Sequence, residues 1–156
     1  MDPHARFDSL IQFWAATDQH GYADFFERQP PVPWELIKHQ LMQESRADPD
    51  AVSRVGAQGL AQAMGRTWEE WVGNEFGTND PPPHKHLSPY DPDDAVRFMC
   101  DYMGYLLRHW NQDERRALAS YNAGIGRVSR LLEQHGNSWE EHLPQETQLY
   151  LKAILG

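Results

Sequence analysis

Residues 34–64 read WELIKHQLMQESRADPDAVSRVGAQGLAQAM. Apolar residues fall at Trp34, Ile37 and Leu41, three and four apart, the spacing of one helical face. The next position on that face is Glu44, which a wheel of ~100° per residue sets beside Ile37 and Leu41. A carboxyl group on an apolar face is partly desolvated, which disfavours its charged form and raises its pKa. A general acid needs that environment at neutral pH, where an ordinary glutamate has already lost its proton. The other reading is a glutamate of the last helical turn that bends out to water. The wheel alone leaves both open.

The residues after Glu44 do not continue the helix. Gly56 and Gly59 stand three apart, ahead of a short apolar stretch. Glycines so placed allow backbone to approach another segment or a ligand closely. A tight turn before a helix explains them equally well. A phosphate-cradling loop does not, since it would need a lysine and a preceding strand.

Outward from this stretch the chain reads as helical. Phe7, Leu10, Ile11 and Trp14 form an i, i+3, i+4, i+7 stripe, with Gly21 suited to the end of that segment. ADFFERQ (23–29) has the look of a short second helix, and Pro33 is placed for the first turn of the one after it. In DPDDAVRFMCDYMGYLLRHW, Asp91 is the expected N-cap and Pro92 the first helical residue. Val96, Met99, Met103, Leu106, Leu107 and Trp110 make its apolar stripe. Two shorter helices close at Gly124 and Gly136. Thr67 with Glu70, and Ser138 with Glu141, fit capping boxes. No stretch alternates with period two, so an all-α, mostly helical single domain over 1–156 is expected, with 1–32 as an N-terminal helical extension packed on it. The exception is Gly73 to Tyr90, which lacks periodicity and carries prolines in PPP and SP. It is either a surface excursion or a wall over a cleft.

The composition narrows function. Fourteen basic residues against 23 acidic ones give a net charge of −9. That opposes general binding to nucleic acid or anionic membranes, which relies on basic patches. No apolar run approaches the ~18 residues of a membrane span, and MDPHARFDSL lacks a secretory signal. The single cysteine, Cys100, excludes an internal disulfide framework and suits a small buried residue. Among eight histidines the one close pair is His84 and His86, without a third ligand at metal-site spacing.

Taken as a unit, Glu44-Ser45, Asp48-Pro49, Ser53, Gly56-Ala57-Gln58-Gly59-Leu60-Ala61-Gln62 and Met64 resemble the signature of the soluble lytic transglycosylases, peptidoglycan-cleaving relatives of goose-type lysozyme. Two further blocks of that family occur in order. Tyr121-Asn122-Ala123-Gly124 matches its Tyr-Asn-Ala-Gly block, and Glu146, Thr147 and Tyr150 match its Glu-Thr-x-x-Tyr block. Ala61, Gly65 and Met99 depart from the methionine, proline and glycine usual there, without removing a chemical group.

The resemblance implies a lysozyme-like domain with a groove for alternating N-acetylmuramic acid and N-acetylglucosamine. It implies that Glu44 is the single catalytic acid/base and that the product is a 1,6-anhydromuramoyl end. A hydrolytic muramidase, or a wall-binding virion module, are the alternatives. Ordinary glycosidases need two carboxylates; here no second acid occupies a defensible position. Tyr121 would hydrogen-bond the glutamate. Ser53, Gly59, Gln62 and Met64 would line the groove, and Asn122 with Gly124 would shape a turn beneath it. Glu146 is either an acid near the groove or a structural glutamate, while Tyr150 suits core or groove wall. The partner implied is the glycan strand, with neither cofactor nor metal, no nucleic acid, no membrane insertion, and a monomeric state. A wall substrate without an export signal suggests delivery by phage lysis, a virion or a secretion system.

Overall fold

Each periodic stretch is a helix in the computed structural model, which describes residues 3–16, 31–73 and 87–156. The helices are α1 (Asp8–Ala15), α2 (Trp34–Ser45), α3 (Gly65–Gly73), α4 (Pro92–His109), α5 (Glu114–Ala123), α6 (Ile125–His135) and α7 (Gln145–Leu155), with 3₁₀ turns at Pro3–Ala5 and Gly136–His142. There is no strand among the described residues; isolated antiparallel bridges pair Val52 with Gln58 and Gln58 with Ala63. The all-α expectation holds. Among the described residues no helix is long and apolar enough to cross a membrane. Gly21, the ADFFERQ stretch, His84 and His86, and with them most of the Gly73–Tyr90 segment, lie outside the described residues.

Local signals set most helix ends. The Asp91 carboxylate accepts the Asp94 N–H at 3.1 Å, the expected N-cap of α4. Pro33 stands immediately before α2 rather than within its first turn. Two expectations fail. Thr67 cannot cap α3, because that helix starts at Gly65 and the Trp68 N–H already reaches the Met64 carbonyl at 2.9 Å. The chain enters α3 three residues early, soon after the Gln58–Ala63 bridge. Ser138 lies inside a 3₁₀ turn, and its hydroxyl donates to the His135 carbonyl at 2.9 Å instead of accepting from a helix N-terminus.

The chain divides into two compact units, Met1–Gly104 and Tyr105–Gly156. In the first, α1 packs on α2. Lys38 Nζ meets the Asp8 carboxylate at 3.0 Å, and the Val32 N–H bonds the Ala15 carbonyl at 3.1 Å. Ile11, Ile37, Leu41, Leu60, Val96, Phe98, Met99, Cys100 and Met103 are buried. An aromatic cluster of Trp68, Trp71 and Phe98 joins α3 to α4. Tryptophan N–H groups find carboxylates even here: Trp14 Nε1 donates to Asp93 at 2.7 Å and Trp71 Nε1 to Asp101 at 3.1 Å. The buried Arg97 guanidinium lies 5.1 Å from the Trp14 ring centre and 5.5 Å from that of Trp71. Burial pushes its pKa below the usual arginine value, and neighbouring Asp101 partly offsets this.

In the second unit α5 packs on α6 and on α7. Leu106, Leu118, Val128 and Leu151 are buried, and Trp110 Nε1 donates to Ser120 Oγ at 2.8 Å. Asp113 starts α5, its carboxylate accepting the Arg116 N–H at 3.1 Å. Gly124 ends it with φ +99°, a left-handed backbone that suits glycine. Because α5 carries the Tyr-Asn-Ala-Gly block, its cap anchors that block. Asp113→Ala is expected to lower unfolding free energy by about 1 kcal/mol in urea titration, and Asp113→Asn by far less.

Candidate active site

Glu44 is the penultimate residue of α2 and is half-buried. Its inward neighbours Ile37 and Leu41 are buried, as the wheel requires. Directly after it the helix stops. Arg46 and Ala47 adopt left-handed backbone at φ 53° and 61°, and the Arg46 N–H closes on the Met42 carbonyl at 2.9 Å. Neither is a glycine, so this turn carries strain that the surrounding bonds must hold. They do so at short range. Buried Ser45 donates from Oγ to the Leu41 carbonyl at 3.2 Å. The Asp48 N–H bonds the Ser45 carbonyl at 3.0 Å, and the Asp48 carboxylate accepts the Asp50 N–H at 2.9 Å.

The next loop is built by the polar residues expected to line a groove. Ser53 Oγ accepts the Ala57 N–H at 3.0 Å, while the Ser53 N–H bonds the Ala57 carbonyl at 2.9 Å. Gln62, itself at φ 49°, sends its amide nitrogen to the carbonyls of Ala51 at 3.2 Å and Gly59 at 2.9 Å. Gln58 and Ala63 exchange both backbone bonds at 3.1 and 3.0 Å. The loop exposes apolar side chains as well as the charged Arg54. Met64 is exposed, and so are Val52 and Val55, which no motif marks. Two valines in a glycine-containing loop are the signal that would find the latter pair.

The two glycines now separate. At Gly59 (φ +74°) a Cβ would fall 1.7 Å from the Pro89 carbonyl oxygen, so the close approach here is to backbone of the same unit. At Gly56 (φ +84°) a Cβ would meet open space.

In the second unit Tyr121 and Asn122 are half-buried at the end of α5, Glu146 is exposed in the first turn of α7, and Tyr150 is buried. Thr147, which has no separate role in the sequence motif, donates from Oγ1 to Asn122 Oδ1 at 2.8 Å. That bond ties the Tyr-Asn-Ala-Gly block to the Glu-Thr-x-x-Tyr block.

Among the described residues one acidic group has carboxylates close enough to hold a cation: Asp91, Asp93 and Asp94. Each already has a structural bond: Asp91 caps α4, Asp93 accepts from Trp14, and Asp94 accepts the Ser88 N–H at 3.0 Å. Burial raises the Asp94 pKa, opposed by the Ser88 bond and reinforced by the charges of Asp91 and Asp93.

Known proteins resemble this chain over most of its length. A family model described as the transglycosylase SLT domain matches residues 21–143. The chain is 30% identical over 127 residues to membrane-bound lytic murein transglycosylase F 2 of Alkalilimnicola ehrlichii, covering 74% of this chain and 25% of that protein. It is 30% identical over 147 residues to the soluble lytic murein transglycosylase of Escherichia coli K12, covering 86% of this chain and 22% of that one. It thus spans about a quarter of the length of these relatives. A solved structure of the lytic transglycosylase Slt of Pseudomonas aeruginosa, an inactive mutant with glutamine in place of a glutamate, aligns with a TM-score of 0.65 and 29% identity over 80% of this chain and 20% of that one.

The glycine geometry sets a direct comparison. Gly59→Ala is expected to cost about 3 kcal/mol or more, from left-handed strain plus a backbone clash, whereas Gly56→Ala carries only the strain of about 1–2 kcal/mol. Paired denaturant titrations check the difference.

Proposed function

The chain belongs to the transglycosylase SLT domain family, and on that premise we propose that it cleaves the β-1,4 bond between N-acetylmuramic acid and N-acetylglucosamine in peptidoglycan, with Glu44 as acid and then base. The observation that carries this reading is half-buried Glu44 on the α2 stripe of buried Ile37 and Leu41, with the bridged glycine loop close behind it in the chain. The inactive glutamate-to-glutamine form of the Pseudomonas relative supports a reading in which a glutamate is essential.

Protonated Glu44 donates its proton to the glycosidic oxygen, and the bond from muramoyl C1 to that oxygen breaks with its electron pair leaving on the oxygen. The muramoyl C6 hydroxyl oxygen then bonds to C1, and its proton passes to the Glu44 carboxylate. The enzyme returns to its starting state, and the sugar ends as a 1,6-anhydro ring without consuming water. Partial burial suits the first step because it favours the neutral acid. The second step needs no further carboxylate, in contrast to two-acid glycosidases. Exposed Met64, Val52 and Val55 give the glycan an apolar surface beside the acid's loop.

Glu44→Gln keeps the shape and removes the proton donor. Clearing of cell-wall suspensions is expected to fall by about a hundredfold or more, with circular dichroism unchanged. Wild-type clearing by this variant would remove Glu44 from the mechanism.

A further inference from the structure

We propose that Arg46 and Arg54 read the carboxylates of the stem peptides, so that the chain selects peptide-bearing glycan strands over stripped ones. The inference rests on peptidoglycan being the substrate.

Most basic side chains described in the first unit are already engaged. Arg6 lies 4.8 Å from the Phe7 ring centre, Lys38 meets Asp8 at 3.0 Å and Arg66 meets Glu70 at 3.4 Å. Arg97 is buried against Trp14 and Trp71. Arg46 and Arg54 are the exceptions. Both are exposed, and neither side chain has an ion pair, hydrogen bond or ring contact among the described residues. Asp48, which stands between them in the chain, accepts the Asp50 N–H at 2.9 Å. Both arginines follow Glu44 on the segment that holds the acid's loop.

Neither position favours the residue it holds. Arg46 ends α2 in left-handed backbone at φ 53°, where glycine would be free of strain. Arg54 and Val55 are the corner residues of a tight turn, closed by the Gly56 N–H on the Ser53 carbonyl at 3.1 Å. Such corners usually take glycine, proline, asparagine, aspartate or serine. Val55 is 74% exposed, so neither corner side chain serves the core. Side chains that break a local preference and touch nothing in their own unit are accounted for by a partner.

The chemistry of the pair names that partner. A guanidinium binds a carboxylate through two parallel N–H···O bonds. In peptidoglycan the sugar rings are uncharged, and the carboxylates sit on peptides attached through the muramoyl lactyl group. Val55 is next to Arg54 in the turn, so a strand lying on the exposed valines brings its peptides alongside the guanidinium. A polyphosphate does not fit, because the net charge of −9 repels it at long range. A short acidic peptide needs only a local pair of cations.

The test uses the full chain carrying Glu44→Gln, so that bound strands stay whole, with calorimetry on soluble strands whose peptides are intact or removed by an amidase. Peptide-bearing strands are expected to bind about tenfold more tightly. That advantage is expected to weaken as salt is raised, to vanish when Arg46→Gly and Arg54→Gln are added, and to reverse with Arg54→Glu. Because Arg46→Gly relieves left-handed backbone, its melting temperature is expected at or above that of the parent, which separates lost recognition from lost fold. Equal affinity for the two strands before the arginines are changed would overturn the proposal, as would a preference that survives their removal. Failure to bind either strand would overturn the peptidoglycan reading and this proposal together. Cleavage of the strands by Glu44→Gln would remove Glu44 as the acid and leave the comparison intact, read then from KM values.

Discussion

One constraint organises the first unit: α2 carries a half-buried acid, Glu44, on its apolar stripe and ends one residue later. Those demands conflict with ordinary helix design. An apolar face prefers leucine at position 44, and a sharp helix end prefers glycine where Arg46 and Ala47 stand. Left-handed backbone at two residues with side chains costs about 1–2 kcal/mol each. The compensation lies close at hand, in the Ser45 bond to Leu41, the Asp48 turn and the bridges that fold residues 51–63 back on themselves. Strain next to a half-buried acid, held by a dense local bond network, is the pattern expected where geometry serves chemistry.

The polar residues of the loop belong to the same logic. The family resemblance casts Ser53 and Gln62 as groove-lining groups, and the structure shows what their bonds do: they close the loop on itself. A substrate-facing loop cannot rely on the hydrophobic core for its shape, so its own side chains must satisfy its backbone. Gly59 completes the arrangement by admitting the Pro89 carbonyl where any side chain would collide. In the second unit Asn122 and Thr147 play a comparable part, joining two helix ends through one side-chain bond.

Helices are legible in the sequence wherever apolar residues keep a 3.6-residue period, as along Val96, Met99, Met103 and Leu107, and wherever a cap is adjacent, as at Asp91. Thr67 and Ser138 mislead because a Ser/Thr with glutamate three residues later also arises inside a running helix or a 3₁₀ turn. The start of α3 at Gly65 follows the bridged loop rather than a capping side chain at Thr67. The inward placement of Glu44 is readable from the wheel, whereas its loop's internal bonding is not, since hydrogen-bond direction is not written in spacing. The pair of glycines signals close approach, but the neighbour of Gly59 lies thirty residues away, beyond any local pattern.

A single acid that works twice leaves a chemical trace that a two-carboxylate hydrolase does not. The most direct measurement is digestion of purified peptidoglycan in heavy-oxygen water, with mass spectrometry of the muramoyl ends. If Glu44 returns the C6 hydroxyl to C1, those ends weigh one water less than reducing sugars and contain no label from the solvent. Reducing ends bearing solvent oxygen at C1 would show that water is the nucleophile and would contradict the one-glutamate mechanism.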